Sequence, residues 1–451
     1  MSGYSEYREV NLPWLKVVPA HWEMQRNKNI FTEQKEIVGE RLADYTLLSL
    51  TLNGIIPRDM DGGGKFPESF DKYKIVKNGD IAFCLFDIDE TPRTVGLSGY
   101  DGMLTGAYTI MRVSNINARF IYYYYLALDN SKMLRPLYTG LRKTININTF
   151  QSTKVPVPPR EEQDQIVRFL DWKVSSINKL INIKTKEIKA IDALKRSMVS
   201  HAITRGLTAD APMKYSGVKW LGDIPQRWRT VPLYAIAQIK SINNCIDLPL
   251  MSVYLDAGVV PFAEREEKRT NATSKDLTNY QRVDHGDFVL NNQQAWRGSV
   301  GVSFHSGIVS PAYIVLSLNN TLDSQYANYL FRSRCMVDQY LVISRGVGSI
   351  QRNLYWSALK RVVVPIPSKE EQMEIVEYLD NINNKFDVTI KKLTEEVAVL
   401  EEYKNKIIAD TVTGKIDVRG IEIPEYEFVD EDNDNVDENL EQGADEPPEE
   451  E

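Results

Sequence analysis

The sequence predicts an α+β protein with an internal pseudo-two-fold duplication, in which two similar mixed α/β domains are separated by two long antiparallel coiled-coil helices. The main observation is a repeat, because the second half of the 451-residue chain matches the first at a distance of 205 to 209 residues. The matching pairs include Trp22 and Trp228, Gly79-Asp80 and Gly286-Asp287, and Pro156-Val157-Pro158 and Pro365-Ile366-Pro367. A duplication of this size builds two similar domains on one chain.

The pattern inside each repeat predicts both strands and helices. In residues 25–155 and 229–363, short apolar runs alternate with Gly, Asn and Asp, which is typical of strands and turns. Helical segments are predicted at 119–134 and, in the second copy, at 324–340. The predicted order is a first mixed domain over 1–157, a helix over 158–205, a second mixed domain over 206–366, a helix over 367–416 and an acidic, disordered tail over 417–451.

Both predicted long helices carry apolar residues at the 4-3-4-3 spacing of a coiled-coil seam. The seam residues are Ile177, Ile181, Ile188 and Ile191 in the first helix, and Phe386, Ile390, Leu393, Val397 and Leu400 in the second. Lys184 interrupts the first seam, where it either fixes the register or extends to solvent. Since a helix with one apolar stripe needs a partner, we expect the two helices to pair, the alternative being that each packs on its own domain.

The composition argues against several classes of protein. There is no run of 18 apolar residues, so no transmembrane helix and no membrane partner is expected, and the N-terminus lacks the pattern of a signal peptide. Three scattered cysteines are typical of free thiols in a reducing cytoplasm. Four histidines, none near another His or a Cys pair, argue against a zinc site.

The net charge of −8 comes from the C-terminal tail, because twelve of the 62 acidic residues lie between Asp430 and Glu451, where there is no Lys or Arg. The rest of the chain has 50 acidic and 54 basic residues. Such a tail either solubilises the protein or mimics the charge of a nucleic acid and competes for a basic surface.

The sequence contains none of the usual catalytic motifs, such as a Gly-x-Gly-x-x-Gly loop, a Walker lysine or a nucleophile elbow. The Asn-Pro-Pro-aromatic motif of adenine methyltransferases is also missing. Asp256, Glu266 and Lys268 have the loose spacing of a metal-dependent nuclease, but that pattern is so degenerate that a solvated loop is the better interpretation.

Two sequence patterns point to one protein family. The first is residues 202–207 followed by 215–228, and the second is Pro-x-Pro-x-x-Glu-Glu-Gln-x-x-Ile-Val, which occurs at 156–167 and again at 365–376. Together they resemble the specificity (S) subunits of type I restriction–modification systems, in which the first pattern is similar to the join between the first conserved helix and the second recognition domain. Near the N-terminus the chain departs from the family, because Lys16-Val17-Val18-Pro19 replaces the expected Gly-x-Ile-Pro.

The resemblance implies a non-catalytic subunit that recognises DNA. Each mixed domain would be a target recognition domain that reads one half of a split sequence in double-stranded DNA, and the helices would set the distance between the halves. The implied partners are two methyltransferase (M) subunits, which dock on the helices, and motor-nuclease (R) subunits. This chain would bind no cofactor, whereas S-adenosylmethionine, ATP and Mg²⁺ are expected in the partner subunits.

Candidate DNA contacts are basic and amide side chains in loops of both repeats, because Arg pairs with guanine, Asn and Gln pair with adenine, and cations contact phosphate. In the first repeat they are Lys72, Lys74, Arg93, Arg142, Lys143 and Thr144. In the second they are Asn292, Gln293, Gln294, Trp296, Arg297, Arg345, Ser349, Gln351 and Arg352. The alternatives are turn formation by the asparagines, burial of Trp296 under its loop, and a solvated strand face for the lysines.

Two other classes of function stay open at this point. An interaction scaffold that uses the coiled coil would have no salt-sensitive affinity for DNA. A self-contained nuclease would cleave DNA in the presence of metal without partner subunits.

Overall fold

The computed structural model describes residues 3–52, 54–58, 69–140, 143–265, 276–347 and 351–430. The chain divides into two compact units. Unit 1 is formed by Met1–Lys186 together with Leu393–Glu451, and unit 2 by Glu187–Lys392. The division passes through both long helices, so each unit holds one mixed domain and a part of each helix.

Unit 1 contains the mixed domain of the first repeat. Its strands are β1 (Tyr7–Leu12), β2 (Leu15–Pro19), β3 (Glu23–Arg26), β4 (Phe31–Gln34), β5 (Leu48–Thr51), β6 (Gly54–Pro57), β7 (Lys74–Val76), β8 (Ile81–Phe83), β9 (Val95–Leu97), β10 (Gly102–Leu104), β11 (Thr109–Val113) and β12 (Lys154–Val157). Its domain helices are α1 (Ala118–Asn130) and α2 (Ile147–Ser152), and the first long helix is α3 (Arg160–Arg205).

Unit 2 contains the mixed domain of the second repeat. Its strands are β13 (Met213–Tyr215), β14 (Asp223–Pro225), β15 (Arg229–Pro232), β16 (Ala237–Ile239), β17 (Met251–Tyr254), β18 (Gly258–Pro261), β19 (Gln281–Val283), β20 (Phe288–Asn291), β21 (Val300–Val302), β22 (Gly307–Val309), β23 (Tyr313–Leu318), β24 (Arg345–Val347), β25 (Gln351–Asn353) and β26 (Val363–Ile366). Its helices are α4 (Ser324–Arg332), α5 (Arg334–Ile343) and α6 (Trp356–Leu359), and the second long helix is α7 (Lys369–Val412).

The two units share one strand topology, which confirms the predicted α+β duplication. Unit 1 has a four-stranded antiparallel sheet in the order β4-β11-β8-β9, and unit 2 has the corresponding order β16-β23-β20-β21. Smaller pairs correspond as well, such as β12 with β3 in unit 1 and β26 with β15 in unit 2. Each sheet packs one face on the helix that follows it, α1 or α4, to form the core of its unit.

The repeated Gly-Asp pair builds the same turn in both sheets. Gly79 and Gly286 each have a φ of +88°, which a residue with a side chain adopts only at a cost. The buried carboxylate of Asp80 accepts the amide N–H of Lys77 and pairs with Arg112, while Asp287 accepts the N–H of Asp284 and pairs with Lys240. The cation lies in β11 in unit 1 and directly after β16 in unit 2, so the turn is kept although its ion-pair partner comes from a different place.

The two long helices contact each other within unit 1 in antiparallel order. Asn178 of α3 accepts a hydrogen bond from Lys404 of α7, and Lys184, which lies further along α3, pairs with Glu396, which lies earlier in α7. Lys184 therefore forms an ion pair between helices where it interrupts the seam. Within unit 2, Lys195 of α3 pairs with Asp387 of α7. Of the seam residues, Ile177, Ile181 and Leu393 are buried, and Ile188, Ile191, Phe386, Ile390, Val397 and Leu400 are half-buried.

A buried glutamate fixes the start of each long helix to its domain. Glu162 at the start of α3 accepts the indole N–H of Trp22 (2.9 Å), and Glu371 at the start of α7 accepts that of Trp228 (2.8 Å). The amide of the following Gln163 bonds to the carbonyl of Pro158, and its oxygen accepts the N–H of Asn117, the N-cap of α1. The repeated Trp and Glu-Glu-Gln motifs are therefore two halves of one structural contact.

Three predicted boundaries are wrong. The helix predicted at 119–134 ends at Asn130, and the segment predicted as one helix at 324–340 is divided into α4 and α5 at Ser333. The Ser333 hydroxyl donates to the carbonyl of Leu330 (2.6 Å), a local bond that competes with continuation of the helix. The tail was predicted to begin at residue 417, but residues 418–430 form hydrogen bonds with α3, and of the predicted tail residues 431–451 lie outside the described chain.

Candidate nucleic-acid interface

In unit 2, two predicted loops lie side by side and form a basic, aromatic surface. The loop after β20 and the hairpin of β24 and β25 are joined by a hydrogen bond from the N–H of Leu354 to the carbonyl of Asn292 (2.9 Å). The guanidinium groups of Arg297 and Arg352 lie 5.1 Å and 5.9 Å from the centre of the Trp296 ring. We call Trp296, Arg297, Arg345 and Arg352 the Trp296 cluster.

The cations of the Trp296 cluster are available to a ligand. Arg297 and Arg345 are exposed, and no carboxylate of the described residues forms an ion pair with either of them or with Arg352. The Trp296 indole N–H donates to the carbonyl of Gln293 (2.9 Å), which holds the half-buried ring in its loop. A positive surface with a fixed aromatic ring can contact phosphates and can stack on a sugar or a base.

The remaining side chains of this loop divide between turn formation and exposure. The side-chain oxygen of Asn291 accepts the N–H of Gln293 (3.2 Å), so this asparagine forms a turn. Gln293 is exposed, and Gln294 and Asn292 are half-buried. The side-chain oxygen of Asn292 is buried and has no hydrogen-bond partner among the described residues.

In unit 1, the corresponding cations are neutralised by acidic neighbours. Lys143 lies 3.2 Å from a carboxylate oxygen of Glu90 and 3.4 Å from one of Asp89, and its hydrogen bond with Glu90 raises its pKa. Arg135 pairs with the other oxygen of Asp89 (2.9 Å), and the Tyr138 hydroxyl also donates to Asp89. We call this group the Asp89 cluster. Thr144 is exposed, and its backbone forms a two-residue bridge with Thr139.

Arg93 and Lys74 are bonded within the fold of unit 1. Arg93 was predicted at the tip of a loop, but its side chain is only 16% exposed and donates to Asn130 (2.6 Å), to Asp129 and to the carbonyl of Leu52. The Lys74 ammonium donates to the carbonyl of Tyr108 (2.7 Å), and burial lowers its pKa. Lys72 is exposed. Arg93 and Lys74 are therefore held away from a ligand by hydrogen bonds within the fold, which the sequence pattern did not reveal.

Some predicted positions cannot be placed. Arg142 and Ser349 lie outside the described residues, as do Glu266 and Lys268 of the nuclease-like pattern, and for Gln351 only the backbone in β25 is described. Asp256, the first residue of that pattern, pairs with Arg265 (2.6 Å). Within the described ranges, no group of three or more His, Cys, Asp or Glu residues is arranged to hold a metal ion.

Comparison with known proteins agrees with this geometry. The family model for the type I restriction–modification DNA specificity domain matches residues 61–190 and 225–398, one segment in each repeat. The chain belongs to this family. Specificity subunits of type I systems are non-catalytic subunits that recognise DNA sequence, and this role fits the absence of catalytic motifs from the sequence.

Relatives of the specificity family match over nearly the full chain. The type I restriction enzyme MjaVIII specificity subunit of Methanocaldococcus jannaschii is 24% identical over 445 residues, which cover 93% of this chain and 99% of the relative. A solved chain from work on assembly and conformational transition of the type I R-M system has a TM-score of 0.58 at 15% identity and covers 88% of this chain and 99% of its own. The HsdS subunit from Thermoanaerobacter tengcongensis, at 16% identity, covers 88% and 98% with a TM-score of 0.43.

The sequence did not predict the acidic half of the Asp89 cluster or the role of Arg135. Arg135 lies in a short turn beyond α1, one residue past the helix predicted at 119–134, and was given no role. Asp89 and Glu90 were interpreted only as part of the loop that carries Arg93. The one available signal was the pair of acidic residues itself, because carboxylates are unexpected in a loop that is predicted to contact DNA. Within the described chain, no helix of this specificity subunit is long and apolar enough to cross a membrane.

Proposed function

We propose that this specificity subunit reads a bipartite DNA target, with the mixed domain of unit 1 on one half-site and that of unit 2 on the other. The observation that carries the proposal is the repeat itself, because two sheets of the same topology on one chain provide two equivalent recognition domains. Duplex DNA offers two half-sites to such a protein when they are separated by about one helical turn, roughly 34 Å.

The Trp296 cluster is our candidate for the DNA contacts of unit 2. Its arginines would contact phosphate or guanine, and its ring would support them or stack. In unit 1 the equivalent loops carry the Asp89 cluster, so contacts there would depend on rearranged ion pairs or on main-chain and neutral groups. Which bases each unit reads depends on side chains in these loops.

We further propose that α3 and α7 carry two methyltransferase subunits and that motor-nuclease subunits complete the restricting complex. S-adenosylmethionine, ATP and Mg²⁺ would then be bound by those partners and used there for adenine methylation and DNA cleavage. We expect the complex in the cytoplasm, which is consistent with the three free cysteines.

The decisive experiment is to co-express the chain with its methyltransferase in a host that lacks adenine methylation and to map N6-methyladenine across the genome. The expected result is methylation of one split motif with a fixed unread gap, absent when this chain is omitted. Random or absent methylation, with the methyltransferase shown to be folded and able to bind S-adenosylmethionine, would contradict the proposal. In that case a scaffold function would have to be reconsidered.

A further inference from the structure

The C-terminal segment beyond α7 runs along α3 in unit 1. We call residues 418–430 the strap. Val418 is fully buried, and Ile421 packs on the core of unit 1, so the beginning of the strap belongs to that core. Residues 424–428 are exposed, including Tyr426 and Phe428, although they lie against the protein.

Side chains of α3 bind the strap mainly through its backbone. The amide of Gln165 donates to the carbonyls of Val418 (3.0 Å) and Ile421 (2.8 Å). Further along α3, Ser175 donates to the carbonyl of Glu427 (3.0 Å) and accepts the N–H of Val429 (2.8 Å).

The contact continues to the end of the described chain. Asn178 donates to the carbonyl of Val429 (3.3 Å), and Asn182 donates to that of Asp430 (2.9 Å). Ser175, Asn178 and Asn182 are all buried. We call Gln165, Ser175, Asn178 and Asn182 the amide stripe. Amide and hydroxyl groups can satisfy the polar groups of a peptide without burying a charge, which makes this stripe suited to an extended chain.

The aromatic residues of the strap cover an ion pair between α1 and α3. The Arg119 guanidinium lies 5.2 Å from the centre of the Phe428 ring and pairs with Asp171 (2.7 Å). Burial raises the pKa of Asp171, and Asp430 adds to this effect through its charge. The protein therefore binds the strap in two ways. Side chains of α3 bond to the strap backbone, and Arg119 contacts the ring of Phe428.

Unit 2 has no equivalent of the amide stripe. The residues 209 positions later in α7 are Glu374, Asn384, Asp387 and Lys391, so three of the four neutral donors are replaced by charged side chains. The Tyr123–Asp171 hydrogen bond of unit 1 recurs as Tyr329–Asp380, but the surface there is an open groove of about 520 Å³. After α3 the chain enters the β13–β14 hairpin instead. The stripe is thus specific to the helix that binds the strap.

We propose that Ser175, Asn178 and Asn182 of the amide stripe form a peptide-binding site together with Arg119. The chain fills this site in cis with its own residues 424–430, the second half of the strap, and the site accepts an extended acidic and aromatic peptide supplied in trans. A second copy of this segment, on another chain or as a free peptide, is the ligand that competes with it. The inference goes beyond DNA recognition and stands on contacts that the DNA proposal does not use.

The test uses a chain that ends at Ile423, together with a synthetic peptide of residues 424–430 labelled at its N-terminus. The shortened chain keeps Val418, Ile421 and both Gln165 bonds, so the core of unit 1 remains complete. We expect saturable binding by fluorescence anisotropy with a dissociation constant of about 0.01–1 mM, since a ligand that acts in cis needs little intrinsic affinity. The full-length chain should bind at least about 10-fold more weakly because its own strap competes.

Side-chain variants decide whether the binding is specific. A Phe428→Ala peptide, or the Ser175→Ala/Asn182→Ala double variant of the shortened chain, should bind at least about 5-fold more weakly. Ser176→Ala is the matched control, because that hydroxyl donates to the carbonyl of Trp172 within α3 and should have no effect. Equal binding to the shortened and full-length chains, or equal binding by all variants, would overturn the proposal.

Hydrogen exchange provides a test that does not require the shortened chain to fold. In the full-length protein, the amides of residues 424–430 should exchange more slowly than in a free peptide. The Ser175→Ala/Asn182→Ala variant should restore rapid exchange in this segment and leave α1 protected. If the two proteins exchange these amides at the same rate, the site does not hold the strap in solution.

Discussion

The two units have the same sheet topology, but at equivalent loops of the described chain the cations are uncompensated in unit 2 and paired with carboxylates in unit 1. In unit 2, Arg297 and Arg352 lie near the ring of Trp296, Arg345 lies in the adjoining hairpin, and none of the three has an ion-pair partner among the described carboxylates. In unit 1, Lys143 and Arg135 are paired with Asp89 and Glu90. A duplicated fold thus preserves the scaffold while the loops diverge, and the loops decide how each unit meets a polyanion.

The contrast also shows what the duplication has kept. The contact between a buried glutamate and a buried tryptophan is present in both units, as is the Gly-Asp turn. The first feature fixes the start of a long helix to its domain, and the second keeps the turn that enters a central strand of each sheet. Both belong to the scaffold that holds the variable loops.

The largest expected effect concerns this shared contact. Glu162→Ala leaves the Trp22 indole and the Tyr4 hydroxyl without their buried acceptor and should cost about 3 kcal/mol of stability. Glu371→Ala should cost less, about 2 kcal/mol, because its other partner, Arg227, is exposed. Thermal unfolding measures both.

The exposed neighbours Glu161 and Glu370 provide matched controls. Glu161→Ala and Glu370→Ala should each change stability by less than about 0.5 kcal/mol. If Glu162→Ala were no more destabilising than Glu161→Ala, the contact would not anchor α3.

The second effect tests the electrostatic contrast directly. Arg297→Ala/Arg352→Ala should weaken binding of the complex to its DNA target by about 10- to 100-fold. The slope of log affinity against log salt concentration should fall by the amount expected for the loss of about two phosphate contacts. Lys143→Ala in unit 1 should change the affinity by less than about 3-fold, since its charge is already compensated. A salt series of gel shifts measures both.

Arg334→Ala is the control for this experiment, because Arg334 is exposed in unit 2 but pairs with Asp338 outside the Trp296 cluster. Equal losses from Arg297→Ala/Arg352→Ala and from Lys143→Ala would show that the two units contribute alike. The contrast described above would then have no consequence for binding.

A smaller effect should follow from removing an acidic partner in unit 1. Glu90→Gln leaves Lys143 with a single carboxylate and should tighten DNA binding by about 2- to 5-fold at low salt, with no change at high salt. Adding Lys143→Ala to Glu90→Gln should abolish the gain. A gain that persists in the double variant would mean that repulsion by Glu90, and not its pairing with Lys143, limits binding.

The smallest effect is a pH-dependent change in the stability of unit 1. Burial lowers the pKa of Lys404 to about 8, and the positive charge of Arg93 acts in the same direction. The folded state therefore loses this proton before the unfolded state does, and stability should rise between about pH 8 and pH 10.5. Lys404→Gln removes the buried charge and can still donate to Asn178.

The variant should raise the melting temperature at pH 7 by about 2–4 °C, and the gain should disappear by about pH 10. Differential scanning calorimetry across this range checks the sign. A gain that is independent of pH would show that the ammonium carries no cost in the folded state.

Local features of the fold could be predicted from the sequence because they depend on short-range patterns. The apolar periodicity predicted the two long helices, and the helix over 158–205 was predicted to within two residues of its observed start at Arg160. The break at Ser333 was missed because helix periodicity continues across it, and only a buried hydroxyl bond marks the end of α4.

The candidate site was only partly predictable. Arg93, Lys143 and Arg297 look alike in a sequence, since each is a cation in a loop. The fold gave Arg93 a buried carboxylate, Lys143 an acidic pair, and Arg297 an aromatic ring. The sequence shows that each side chain is positively charged. Whether that charge is free to contact DNA depends on neighbours that are distant in the chain.

The sequence by itself determined the duplication, the α+β class, the long helices and the resemblance to specificity subunits, because repeats, periodicity and motifs are properties of the linear order. Only the tertiary structure decided which cations are compensated, that residues 418–430 bind α3, and that the conserved glutamates accept tryptophan N–H groups. The reason is physical. An ion pair or a buried hydrogen bond is set by distance and burial in three dimensions, and its partners can lie far apart in the chain, as in the Gln165–Ile421 bond, which spans 256 residues.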